Sequence, residues 1–159
     1  RGHAVAVLPY DPERDRVVIL EQFRIGALAA GLEPWLLETV AGIIEPDEAP
    51  EAVAIREAYE EAGCKLLALE PIGRVLPSPG GCSEVLRLFV GRIDSAGLGG
   101  LHGLPEEHED IRASVLGLDE ALARLAEGAP VNASLMLCLQ WLALNRDALR
   151  ARWRAGPPS

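Results

Sequence analysis

The sequence predicts an α/β sandwich in a single domain of 159 residues, and three observations carry that expectation. Short aliphatic and β-branched runs recur along the chain, beginning with residues 4–8 (AVAVL) and 17–23. A central segment, 50–62, has the start and stop signals of a helix. A terminal segment reaching about Arg154 has helical periodicity, with Leu135, Leu139, Trp141 and Leu142 on its apolar side. Strands flanked by two helices bury their faces by layering helix on sheet. With 49% hydrophobic residues the chain can build a real core.

Each element follows in order. Residues 4–8 read as a buried strand, Asp11-Pro12 through Asp15 as a turn, and 17–23 as the second strand of a hairpin. Residues 25–34, with two glycines and Pro34, read as a loop, and 35–40 as a short strand running into Ala41-Gly42. Pro50 suits a first helical turn and Gly63 the left-handed residue that ends a helix. At 100° per residue Glu57, Glu60 and Glu61 share one face, while Ile55, Ala58, Tyr59 and Ala62 lie opposite and are expected to pack on the core. Residues 65–69 and 72–76 read as two strands, 77–84 (PSPGGCSE) as turns, and 85–93 as a strong strand. Residues 94–104 are glycine-rich and expected to be mobile. The acidic stretch 105–111 (PEEHEDI) precedes a strand at 112–116. Asp119 begins or caps a short helix ending at Gly128, and Asn132 or Ser134 caps the last helix. The tail 156–159 is expected to fray.

Composition narrows the function. A net charge of −9 argues against electrostatic binding to nucleic acid. No apolar run approaches twenty residues, so no membrane span is expected. The three cysteines lack a C-x-x-C pair and read as reduced thiols in a cytoplasmic protein. The acids are concentrated: eight of them and one base, Arg56, lie between Glu38 and Glu61, and four more between Glu106 and Asp110. Such runs are most often solvated faces. Three carboxylates on one helix face nevertheless repel one another unless a cation sits among them, and oxygen-rich clusters suit Mg²⁺ or Mn²⁺.

The spacing decides between these readings. Gly42, five residues, Glu48, seven residues, then Arg56-Glu57-x-x-Glu60-Glu61-x-Gly63 resembles the Nudix box at all seven fixed positions. A chance match is about one in 10⁵ or rarer in a chain of this size. Ala58 and Cys64 are smaller than the aliphatic residues usual at their positions. The rest of the chain resembles the bacterial ADP-ribose pyrophosphatase branch through residues 1–26 (RGHAVAVLPYDPERDRVVILEQFRIG), through SPGGCSE with Pro79 fifteen residues beyond Cys64, and through GLHGLPEEHEDI.

That resemblance implies an α/β/α sandwich with a mixed sheet and a Mg²⁺-dependent hydrolase, Mn²⁺ being the alternative metal. The expected reaction cleaves ADP-ribose to AMP and ribose 5-phosphate. Another nucleoside diphosphate sugar, such as GDP-mannose, is the alternative substrate. A non-catalytic ADP-ribose sensor is the reading from a different class, and the intact set of acids in the box counts against it. Glu57 and Glu61 are expected to ligate metal, with Glu60 as a third and the Ala41 carbonyl joining them. Arg56 is expected to orient Glu60, and Glu48 to brace the loop. A base that is not itself a ligand is still needed, and Glu107 aligns with it; Glu106 and Glu109 are the neighbouring alternatives. Arg24 aligns with an arginine that contacts phosphates, and Ser78, Gly80 and Glu84 lie on the substrate loop. The resemblance also implies a homodimer, held through an N-terminal segment of roughly fifty residues that precedes the matched part and is expected to lie outside this sequence. No adenine-stacking aromatic can be named.

Overall fold

The computed structural model describes residues 2–103 and 110–155. Glu106, Glu107 and Glu109 therefore lie outside the described residues, as does the tail from residue 156. Strands β1 (Ala4–Asp11) and β2 (Arg16–Phe23) form the expected hairpin. Its turn is shaped by Asp11, whose Oδ1 accepts the N–H groups of Glu13 and Arg14, and by Asp15 at φ 56°, a conformation that aspartate tolerates.

Both faces of these strands are buried, which is why they read as continuous apolar runs instead of alternating ones. Ala6, Leu8 and Tyr10 of β1 and Val17 and Ile19 of β2 enter one core, while Val5, Val7, Val18 and Leu20 enter another. β1 runs parallel to β6 (Leu86–Arg92) from Ala4↔Leu86 to Tyr10↔Arg92. It meets β2 in register only at Tyr10↔Val17 and Asp11↔Arg16. Beyond that point the two strands take different partners. β3 (Trp35–Glu38) pairs with β2 and β4 (Val40–Ile43) with β1. At the step between them the Thr39 hydroxyl donates to the Val7 carbonyl.

The mixed sheet runs β5 (Ala68–Val75), β6, β1, β2, β8 (Ile111–Gly117), β7 (Gly100–His102), with β3 and β4 off this path. The first core is closed by α3 (Leu118–Ala126) and α4 (Ala133–Ala155) and the second by α2 (Pro50–Ala62). This is the α/β sandwich that the sequence predicts. Asn132 is the cap of α4, its Oδ1 accepting the Leu135 N–H at 2.9 Å.

Several local expectations are corrected. Residues 25–34 contain a short helix, α1 (Ile25–Ala29), because Ala27, Leu28 and Ala29 favour helix strongly enough to carry Gly26, one of the two glycines that suggested a loop. Residues 65–76 hold one strand, with an irregularity between Pro71 and Gly73, because proline cannot donate to the ladder and a sheet edge accommodates it. The glycine-rich stretch contains β7, paired to β8. On α2, Ile55 and Tyr59 do not join the core: they are 51% and 69% exposed. The buried stripe is Val53, Ala54, Ala58, Glu61 and Ala62, so the carboxylate face and the core face overlap at Glu61.

Candidate functional site

The site is built by β4 and α2. Pairing with β1 fixes Ala41 opposite Ala6 and Gly42 opposite Val5. α2 starts with Pro50 in its first turn and stops at Gly63 (φ 63°), where the N–H groups of Gly63 and Cys64 satisfy the Tyr59 and Ala58 carbonyls. The helix so delimited crosses β4 closely enough that any side chain at Gly42 would displace Glu57. A Cβ there would stand 2.2 Å from Oε1 of Glu57 and 2.3 Å from its Cγ. The carboxylate of Glu57 lies over the Gly42 backbone.

One turn later Glu61 is 4% exposed, and its Oε2 accepts the Ala41 N–H at 3.0 Å. A carboxylate buried this deeply needs such donors, since an unpaired buried charge is very costly. Two of the three α2 carboxylates are thus seated against the dipeptide Ala41-Gly42. Glu60 stands further out, accepting from Nη1 of Arg56 at 3.2 Å. The same Nη1 reaches Oε1 of Glu57 at 2.8 Å, and Nη2 lies 3.7 Å from Glu48. Partial burial disfavours the Arg56 charge, but Glu57, Glu60 and Glu48 outweigh it and raise its pKa. Glu48 Oε2 also accepts the Glu45 N–H at 3.0 Å, closing the loop before α2.

Among the described residues no three His, Cys, Asp or Glu side chains are gathered closely enough to hold a metal ion as they stand. Glu57 and Glu60 are turned onto Arg56, and Glu61 onto the Ala41 amide. The chemistry of the donor set fits a hard divalent cation: three carboxylates from one helix, two of them seated against the backbone of Ala41-Gly42.

Arg24 enters a two-point fork, Nε to Glu38 Oε1 at 2.8 Å and Nη2 to Oε2 at 2.7 Å. Glu38 is buried and pairs in register with Leu20, which belongs to the α2-side core, so the fork lies on the α2 side of the sheet. Sequence reasoning counted Glu38 only as one acid in a run and missed it as the partner of Arg24. Ser78 turns its loop by accepting the Gly81 and Cys82 N–H groups at 3.1 and 2.9 Å. Gly80 has open space around it, so packing does not demand glycine there. Glu84 follows, its N–H on the Cys82 sulfur.

Cys64 and Cys138 are buried, which pushes their thiols up to about 12 and keeps them protonated. A cavity of about 520 Å³ is lined by Asp11, Arg14, Arg92 and Asp94, at the other end of β1 from Gly42. Among the described residues no helix is long and apolar enough to cross a membrane.

The family model of the NUDIX domain matches residues 1–137. An ADP-ribose pyrophosphatase of Escherichia coli K12 is 47% identical over 153 residues, which is 96% of this chain and 73% of the relative. One of Haemophilus influenzae is 44% identical over 157 residues, 97% of this chain and 72% of the relative. A GDP-mannose pyrophosphatase of Cronobacter sakazakii is 35% identical over 145 residues, 91% of this chain and 75% of the relative.

Proposed function

The chain belongs to the Nudix family, and from that premise we propose that it hydrolyses the diphosphate of ADP-ribose to AMP and ribose 5-phosphate. The observation that carries the substrate is the grading of the relatives: 47% and 44% identity to proteins named ADP-ribose pyrophosphatase, against 35% to one named GDP-mannose pyrophosphatase.

Glu57, Glu60, Glu61 and the Ala41 carbonyl are the residues that would hold Mg²⁺, or Mn²⁺, whose chemistry there is to screen the diphosphate, polarise its P–O bonds and acidify a bound water. Everything else falls to the chain. Gly42 supplies the gap in which the Glu57 carboxylate is seated, and the Ala41 N–H fixes one oxygen of Glu61. Arg56 holds Glu57 and Glu60 on a common cation, so that their mutual repulsion does not splay the helix face. Arg24 binds a substrate phosphate. Its fork with Glu38 orients the guanidinium, whose planar shape and fixed charge suit a phosphate. Ser78, Gly80 and Glu84 contact the nucleotide sugar from the loop before β6. Glu107 takes the proton of the attacking water, because a carboxylate engaged with a cation is a poor base.

The reading includes a cytoplasmic homodimer. Three free cysteines support the compartment, and exposed Phe23, Ile25, Leu32 and Trp35 support the dimer. The substrate is tested by comparing kcat/KM for ADP-ribose, GDP-mannose and other nucleoside diphosphate sugars in Mg²⁺. ADP-ribose should lead; a higher kcat/KM for GDP-mannose would move the chain to the other activity. Tight ADP-ribose binding without turnover would make it a sensor.

A further inference from the structure

Immediately before β1, His3 joins two loops that the site uses. Its carbonyl accepts the N–H of Ile44 at 2.9 Å, the first residue beyond β4 on the way to α2. Its Nδ1 accepts the N–H of Val85 at 3.3 Å, the residue that follows Glu84 and precedes β6. Ala4, next along, donates to the Val85 carbonyl at 3.0 Å. Because a backbone amide can only donate, Nδ1 must be the unprotonated nitrogen, with the ring proton on Nε2. Within the 77–85 loop Gly81 and Cys82 donate to Ser78, and the Glu84 N–H donates to the Cys82 sulfur. Residues 77–81 are exposed, so the tip gains little hold from packing. The bonds to His3 and Ala4 therefore tie the C-terminal arm of this loop to the sheet.

We propose that His3 is a positioning residue for the loop before β6: its Nδ1 holds the Val85 N–H and thereby the backbone that presents Glu84. The inference rests on the hydrolase reading for its consequence, which is on substrate affinity and not on bond cleavage. His3 touches neither the α2 carboxylates nor the Ala41-Gly42 dipeptide in any bond described above. Its loss should raise KM and leave kcat nearly unchanged. One hydrogen bond of this kind corresponds to roughly three- to tenfold in KM.

Two variants separate the bond from the bulk. His3→Ala removes the acceptor; His3→Asn places an amide oxygen near the position of Nδ1. The side chain is exposed, so both variants should keep the wild-type Tm. The readouts are KM and kcat for ADP-ribose, and amide hydrogen exchange across residues 77–86, which needs no turnover. The expected result is faster exchange at Val85 and its neighbours and a raised KM in His3→Ala, with both near wild type in His3→Asn. Wild-type exchange in His3→Ala, or His3→Asn as impaired as His3→Ala, would overturn the proposal. So would a loss of kcat and Tm together. If the wild-type protein itself fails to hydrolyse ADP-ribose, the hydrolase reading falls, and the exchange comparison alone still decides whether His3 holds the loop.

Discussion

Replacing Gly42 with alanine tests the seat of Glu57 without removing any carboxylate. The added Cβ would meet Oε1, Cγ and Cδ of Glu57 at 2.2, 2.3 and 2.4 Å, whereas ordinary contact begins at 3.4 Å. The side chain must retreat by more than about 1 Å, and Gly42 is not at positive φ, so the backbone tolerates the change. Two consequences differ in size. Stability should fall only modestly, by about 1 kcal/mol, because a partly exposed side chain can swing away; for a domain of this size that lowers Tm by roughly 2–4 °C. Activity should fall far more, since misplacing a catalytic group by about 1 Å costs on the order of 10²-fold. The assay is ADP-ribose turnover as a function of Mg²⁺ concentration, beside calorimetry of the same samples. A variant with wild-type turnover and wild-type Mg²⁺ dependence would mean that Glu57 does not act from above Gly42. A collapse of Tm with activity falling in proportion would count against that role as well.

Other perturbations follow from the same contacts. Glu57→Gln and Glu61→Gln should each abolish Mg²⁺-dependent turnover with the circular-dichroism spectrum unchanged, as each amide keeps an acceptor of similar shape; retained turnover in both would remove them as ligands. Glu107→Gln should leave Mg²⁺ binding by titration calorimetry intact while turnover drops by about 10²- to 10⁴-fold, and unchanged turnover would end its assignment as base. Asp11 offers a pH test. Burial pushes its carboxyl up, but hydrogen bonds from Ser95 and Arg14 outweigh burial and hold it well below the usual range. Its contribution is therefore complete above the unfolded-state value of about 3.9 and is lost as pH falls toward the lowered folded value. Asp11→Asn should be less stable than wild type at neutral pH, and urea midpoints should converge below about pH 4; a gap that stays constant with pH would contradict this.

How far the sequence could be read depends on what each residue answers to. Pro50 and Gly63 delimit α2 by local backbone rules, and those limits were legible. The apolar runs of β1 and β2 announce strands, though not which face meets which helix, because both faces are buried. The acids of α2 were legible as a face, but their surroundings were not. A helical wheel assigns charge to solvent, so it put Ile55 and Tyr59 in the core; α2 instead lies with Glu61 inward because the Ala41 N–H is there to receive it. Likewise Gly42 stood in the motif with no stated reason until β4 brought it against Glu57. The fork between Arg24 and Glu38 joins the ends of two paired strands, a register that neither residue announces alone.

The most direct measurement is ADP-ribose turnover by the purified protein with Mg²⁺, with and without EDTA, and with the products identified. AMP and ribose 5-phosphate are expected in equal amounts, with the reaction stopped by EDTA and restored by excess Mg²⁺. Turnover that persists in EDTA would contradict the role given to the α2 carboxylates, and no turnover of ADP-ribose in Mg²⁺ or Mn²⁺ would contradict the activity itself.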